Sequence, residues 1–363
     1  YSDAISLNEN DVIVSWLPLY HDMGLIAGFL LPLVQGVPLV LMSPFDWVRH
    51  PALLLSAIDR FRGTLTWLPN FAYNHMARRV REPDLHGVSL STMRMFINRS
   101  EPVRQDSHEL FRQRFQPLGV RSDQLAVSYA MAENTFAVTQ TPPGEIPRVD
   151  LLDRRLLEEQ RLAVPVPADH PQAEARVSCG PAIANTAVRV LAEDGTGLPD
   201  RHVGEIAIRS DCMLSEYYRR PDLHPFKDGW YLSGDMGYLS DGQLYIIGRS
   251  KDLIINAGKN VYPQDIEAIV NGVPGVHAGR AVAFGVYDRR EGTELVAVVA
   301  EVDSGDKKVH KEIGKRIRQE VARQSMITVS YVKLVGDKWL IKTSSGKIAR
   351  AANRDKWQNE RKN

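Results

Sequence analysis

At 363 residues the chain exceeds the roughly 250–300 at which a single hydrophobic core stops growing, so two domains are expected. Its 45 Lys and Arg against 44 Asp and Glu leave a net charge of +1, which excludes the basic bias of a dedicated nucleic-acid binder. Cys179 and Cys212 make neither a disulfide framework nor a metal-ligand spacing, and a reducing cytoplasm is the expected compartment.

The sequence opens at Tyr1 without an initiator Met and without a charged-then-apolar leader, so an N-terminal portion is expected to be missing. Residues 12–17 read as a short apolar strand. Residues 23–42 then run for twenty positions without a charge, long enough to cross a membrane. Pro32, Gln35, Gly36 and Pro38 interrupt that run, and proline inside a helix costs about 3 kcal/mol. A buried helix over 23–33, a turn and a core strand over 38–42 are expected, with no membrane insertion. Residues 51–61 form a helix with Leu54, Ile58 and Phe61 on one face, and 71–79 form another. Strands are expected at 64–68, 92–98 and 125–129. This alternation predicts a doubly wound, mostly parallel α/β sheet, with ligands in the loops after Leu17, Leu68, Asn98 and Tyr129.

The texture changes after Thr141. Residues 142–176 are rich in proline and charge, with one short helical pattern at 151–159. Residues 177–210 read as antiparallel strands around an Asp194-Gly195 turn. Beyond a joint near 249–252, Pro263 opens a helix that Gly272 closes. Strands follow at 281–286 and 295–302. A helix over 307–324 should bury Val309, Ile313, Ile317 and Val321. The expected organisation is an α/β part (1–141), an insertion-like segment (142–176), an antiparallel β part (177–250) and a small mobile α+β lid (251–363).

The chemistry concentrates in residues 230–269. Asp235, in a tight Ser-Gly-Asp-Met-Gly turn, is placed to accept hydrogen bonds from both hydroxyls of a ribose. Arg249, in Gly-Arg-Ser-Lys-Asp, adds a charge-assisted donor, and each such bond is worth about 1.5–3 kcal/mol. Glu133, at a strand end in Ser-Tyr-Ala-Met-Ala-Glu, is a hard oxygen ligand suited to Mg2+. Lys347 sits among Ser344, Ser345 and Gly346, a small-residue loop with a point charge at its tip. That loop lacks the other glycine and the helix-opening Ser/Thr of a P-loop. His21 has no nucleophile motif beside it and reads as a gate or pocket-lining residue. Attack of a carboxylate on the α-phosphate of ATP joins two anions. It needs a gripped nucleotide, Mg2+ and positive charge at the reacting oxygens. These residue types together point to activation of a carboxylic acid as an acyl-adenylate.

Trp16-Leu-Pro-Leu-Tyr-His-Asp-Met-Gly24, Ser-Tyr-Ala-Met-Ala-Glu133, Gly204-Glu-Ile-Ala-Ile208, Ser233-Gly-Asp-Met-Gly237, Gly248-Arg-Ser-Lys-Asp252 and Lys342-Thr-Ser-Ser-Gly-Lys347 fall in the order found in AMP-forming acyl synthetases. The chain resembles that superfamily over essentially its whole length. It is most similar to the fatty acyl-AMP ligases, through Leu17-Pro-Leu-Tyr-His-Asp-Met-Gly24, Gly258-Lys-Asn-Val-Tyr-Pro-Gln-Asp-Ile-Glu267 and the segment ending in Val-Ser-Cys-Gly180. That segment occupies the place where these ligases carry an insertion that disfavours CoA.

The resemblance implies ATP (leaving AMP) and Mg2+ as cofactors, a fatty acid as substrate, and roles residue by residue. Asp235 and Arg249 would hold ribose, and Glu133 would act catalytically at Mg2+. Tyr129, Asn98, Ser100, Glu101 and Ile247 would border the nucleotide. His21 and Met131 would line the acyl pocket, Lys251 would be the hinge, and Lys347 the adenylating lysine. Acyl-AMP would pass to the phosphopantetheine thiol of an acyl carrier protein. An acyl-CoA synthetase using free CoA is the alternative, and a non-catalytic adenylate-binding or carrier-docking module a second one. Three departures from the family stand out. Its Gly/Ser/Thr-rich triphosphate loop is absent; Arg99 and Ser100 follow Asn98 where two small residues are usual; Ala130 replaces a usual glycine. Arg99 is expected to crowd the base or to reach a phosphate.

Overall fold

The computed structural model describes residues 1–99, 103–343 and 346–362. They fall into two compact units: Tyr1–Leu157 with Arg161–Ile247, and Glu158–Gln160 with the chain from Gly248 onward.

In the first unit, β1 (Ile13–Ser15), β2 (Leu39–Leu41), β3 (Leu65–Pro69), β4 (Met95–Arg99), β5 (Leu125–Ala130) and β6 (Ala137–Gln140) form one sheet in the order β2-β1-β3-β4-β5-β6. β1 to β5 run parallel, and β6 returns antiparallel to β5. Every residue of β3 and β4 is buried, because crossover helices cover both faces of a parallel sheet. The helices are α1 (Leu31–Gln35), α2 (Pro44–Arg49), α3 (Ala52–Phe61), α4 (Asn70–Arg79) and α5 (Gln105–Phe115). The core packs Trp67, Phe96, Phe111 and Phe115 together with Trp16 and Trp47, whose rings stack at 3.7 Å. This is the mixed α/β architecture with a parallel sheet that the alternation predicted.

The apolar run after Met23 departs from expectation. Residues Met23–Leu30 form a π-helix that passes into α1, so helical structure continues through Pro32. The Leu31 amide still bonds back to Ile26, in the π pattern, and the missing N–H of Pro32 falls where the pattern changes to α. Gly36 ends the helix at φ +69°, and Leu33 and Val34 are exposed rather than buried. No helix among the described residues is long and apolar enough to cross a membrane.

The segment 142–176 is also more structured than its composition suggested. β7 (Val149–Asp153) and β8 (Ala173–Val177) pair antiparallel, with α6 (Arg154–Gln160) between them. Asp150 Oδ2 accepts from Arg201 Nη1 and from Tyr238 OH, both at 2.9 Å, which ties this segment to the sheet that follows. That sheet contains β9 (Thr186–Leu191), β10 (Gly204–Ser210), β11 (Phe226–Lys227), β12 (Trp230–Ser240) and β13 (Gln243–Arg249). Cys179 and Cys212 are both free thiols.

In the second unit, the hairpin of β14 (Ile254–Asn256) and β15 (Lys259–Val261) leads into α7 (Pro263–Asn271). β16 (Val276–Asp288), β17 (Thr293–Val302) and β18 (Val329–Val335) make a sheet with β17 and β18 parallel across α8 (Lys307–Ser325). α9 (Arg350–Lys362) follows. α8 buries Ile313, Ile317 and Val321 as expected, but Val309, in its first turn, is exposed.

Candidate active site

Asp235 does not sit in a turn. Residues Ser233–Asp235 are a bulge inside β12: Glu205 pairs with Met236 and Ala207 with Leu232, so three residues face Ile206 alone. A bulge twists the strand and re-aims one side chain. Gly234 adopts φ +70°, which a residue with a Cβ rarely does. Ser233 Oγ donates to Ile206 O at 2.7 Å and accepts from the Asp235 amide at 3.1 Å, while the Gly234 amide donates to Glu205 Oε1 at 3.0 Å. Gly237 then lets β13 approach, since an added Cβ would lie 2.3 Å from the Tyr245 carbonyl oxygen. These contacts fix the Asp235 carboxylate, which receives the Tyr129 hydroxyl at 2.6 Å on Oδ2. Tyr129 lies on β5 near its carboxyl end, the edge where parallel sheets bind ligands.

Glu133 lies in the loop that joins β5 to β6. Its Oε1 accepts from Tyr217 OH at 2.9 Å, and Tyr217 OH lies 2.9 Å from Tyr231 OH. Burial, the Tyr217 bond and the nearby Glu133 and Asp235 charges all raise the Tyr231 phenol, which stays neutral. The loop is braced by Leu214 N donating to Glu133 O at 2.7 Å and by Thr135 Oγ1 donating to Cys212 O at 3.0 Å. Met131, half-buried, donates its amide to Phe136 O at 2.8 Å. Ile247 is buried on β13. Tyr129, Met131 and Glu133 thus lie at and just beyond the carboxyl end of β5, and the Tyr129 hydroxyl joins them to Asp235 on β12 of the second sheet. Glu205 and Ser233 were legible in the quoted motifs; Tyr217 and Tyr231 carried no signal in the sequence.

Asn98 turns inward. Its Nδ2 donates to Asn70 Oδ1 at 3.0 Å and meets His108 Nε2 at 2.9 Å, so both amide protons are spent on α4 and α5. Its Oδ1 is buried and has no partner among the described residues, so the one side-chain group Asn98 keeps for a base is an acceptor. Ser100 and Glu101 lie outside the described residues. Burial lowers His108 to about 4, from an ordinary 6.5. His108 is neutral in the fold, whereas the unfolded chain takes up a proton as pH falls through 6.5. Stability is thus full above pH 6.5 and drops by about 3 kcal/mol between 6.5 and 4. Denaturant midpoints measured across that window should fall steeply, and His108→Gln should flatten the slope; an unchanged slope would refute this assignment.

His21 Nδ1 lies 2.7 Å from Asp22 Oδ1. Burial raises the Asp22 carboxyl, but the His21 bond and the Arg99 charge outweigh it and hold it at about 2. Arg99 Nη2 donates to Asp22 Oδ2 at 2.9 Å, and the Arg99 guanidinium lies 3.9 Å from the centre of the Phe136 ring. The side chain is 1 % exposed and does not extend into solvent, held by the ion pair with Asp22 and the stacking on Phe136.

Residues 1–218 match the AMP-binding enzyme family. The chain belongs to that family. It is 36% identical to the medium-chain-fatty-acid–acyl-carrier-protein ligase JamA of Moorena producens, over 98% of this chain and 62% of JamA. It is 34% identical to the long-chain-fatty-acid–AMP ligase FadD32 of Mycolicibacterium smegmatis, over 97% of this chain and 63% of that ligase. A structure from a study of fatty acyl-adenylate ligases of E. coli and L. pneumophila superposes with a TM-score of 0.91 at 31% identity, covering 99% of this chain and 64% of the other. The chain spans less than two thirds of the length of these relatives.

The remaining candidate residues of this AMP-binding enzyme lie in the second unit. Arg249 ends β13, and Lys251 lies in the short 3-10 turn Ser250–Asp252. Lys347 is exposed, on a loop closed by pairing of Lys342 with Ile348 and by Thr343 N donating to Lys347 O at 2.7 Å. Among the described residues, His277, Glu301 and Asp337 are the one group of three potential metal ligands. Arg280 Nη1 lies 3.3 Å from Glu301 there, a cation already facing the cluster. Glu133 belongs to no such group. As a single carboxylate it fits Mg2+ whose remaining ligands are nucleotide phosphates and water, the usual mode for this ion.

Proposed function

We propose that this AMP-binding enzyme activates a fatty acid as acyl-AMP, releasing pyrophosphate, and passes the acyl group to a phosphopantetheine thiol on a carrier protein, with AMP as the leaving group. The observation that carries the reading is the bulge-borne Asp235 carboxylate, fixed by Tyr129 at the carboxyl edge of the parallel sheet. There Asp235 accepts the ribose hydroxyls, with Arg249 as a charge-assisted donor. Tyr129 forms the wall of the nucleotide site beside Ile247. Glu133, oriented by Tyr217, holds Mg2+, which when bound neutralises phosphate charge. His21 and Met131 line the acyl pocket, and Lys251 is the hinge on which the second unit, acting as a lid, brings Lys347 to the reacting oxygens. JamA, by its name a ligase acting on an acyl carrier protein, supports the carrier thiol over free CoA as acceptor.

Mass spectrometry of the complete gene product with pooled fatty acids, ATP and Mg2+ tests the first step. An acyl-adenylate peak is the expected result, and none across the pool would favour an adenylate-binding or docking module. Offering free CoA and a phosphopantetheinylated carrier side by side tests the second step, and acylation of CoA alone would make the protein an acyl-CoA synthetase. Asp235→Ala should weaken AMP binding by about 2–3 kcal/mol, the loss of two hydrogen bonds to a charged group. Calorimetry giving an unchanged Kd would remove Asp235 from the ribose site.

A further inference from the structure

Arg99 ends β4 at the carboxyl edge of the parallel sheet, one strand from Tyr129. Two of its contacts are strong: Nη2 on Asp22, and the guanidinium face on Phe136. Its Nε and Nη1 are buried and have no acceptor among the described residues. Guanidinium offers five N–H donors and no acceptor, so an arginine this deep is expected to have oxygen around most of its rim. Tyr1 OH donates to Gln140 Oε1 at 2.9 Å and accepts from Trp67 Nε1 at 2.9 Å. Asp22 connects Arg99 directly to His21, and Phe136 closes the loop that carries Met131. Through Asp22 the Arg99 guanidinium is thus linked to His21, one of the residues assigned above to the acyl pocket.

We propose that Arg99 is a specificity-determining residue, donating from Nε or Nη1 to a hydroxyl or keto oxygen carried on the acyl chain. The inference rests on the ligase reading above and names its substrate class. Charge decides between neutral and ionised oxygens. The ionised Asp22 carboxylate already balances Arg99, so a second carboxylate on the substrate would enter as an uncompensated buried charge. A hydroxyl or keto oxygen supplies an acceptor without adding charge. A plain alkyl chain would press against the donors and leave them unpaired. A site built to hydrogen-bond a substrate oxygen rejects the analogue lacking it far more strongly than an apolar pocket rejects an added group.

The test is a competition among fatty acids of one length: unsubstituted, hydroxylated or keto-bearing at successive carbons, and carrying a terminal second carboxylate. Relative kcat/KM for adenylate formation by the complete gene product is the readout. At least one hydroxy or keto acid should exceed the plain acid by about tenfold or more, the diacid should not, and Arg99→Met should reduce that preference to within about twofold. A plain acid equal to or better than every oxygenated one overturns the proposal and leaves Arg99 a structural ion pair with Asp22. So does a preference that survives Arg99→Met. Should that variant not fold, the ranking by the unmodified protein decides alone. Adenylate from no acid at all is a different outcome, and it removes the ligase reading together with this one.

Discussion

Replacing Lys347 with alanine should lower acyl-adenylate formation by about 100-fold or more, while the Kd for nucleotide changes by less than about twofold. Charge develops on the reacting oxygens only as the carboxylate attacks the α-phosphate. A cation that acts there contributes to the transition state and little to the ground state. Placement of Lys347 fits such a role. Its side chain is exposed, and its backbone is held at the base of the loop by Thr343, whose amide and hydroxyl both donate to the Lys347 carbonyl, at 2.7 and 3.2 Å. Single-turnover formation of acyl-AMP, with Kd measured separately by calorimetry, separates the two effects. A parallel loss of rate and affinity would make Lys347 a nucleotide-binding residue and nothing more.

Strands such as β3 and β4 were legible because continuous apolar runs between turn residues have few other fates, and their alternation with helices fixed the parallel sheet. The Ser-Gly-Asp segment was misread as a turn for a physical reason. A glycine at positive φ serves a turn and a bulge equally well, and only the register against Glu205 and Ala207 distinguishes them. β7 and β8 escaped notice because charged residues such as Asp150, Glu174 and Arg176 break their apolar pattern. α9 is polar nearly all round, and its apolar anchor is Trp357, packed against Phe284 and Tyr331. At the candidate site, Asp235, Glu133 and Tyr129 were readable from motifs. The inward turn of Asn98 was not, since it depends on His108, a residue from a helix that the local pattern did not reveal.

Arg350→Met should destabilise the second unit by about 3 kcal/mol, the lower end for breaking a buried ion pair, because each partner keeps some exposure. Arg350 opens α9 and ties three elements together. Its Nη2 donates to both Glu267 oxygens, at 2.9 and 3.0 Å, its Nε donates to Ala283 O at 3.0 Å, and its Nη1 pairs with Asp252. Burial raises the Glu267 carboxyl despite the attraction of Arg350, so removing that arginine leaves a carboxylate that is poorly solvated and uncompensated. Glu267 Oε1 must also still accept the Ala283 amide, at 2.9 Å. The double variant Arg350→Met with Glu267→Gln removes both charges but keeps an oxygen for Ala283. It should therefore be more stable than Arg350→Met alone, although it carries one more change. Urea unfolding of the three proteins measures this directly. If the double variant lost as much as Arg350→Met or more, the cost would come from the Asp252 and Ala283 contacts of Arg350, not from a stranded Glu267 charge.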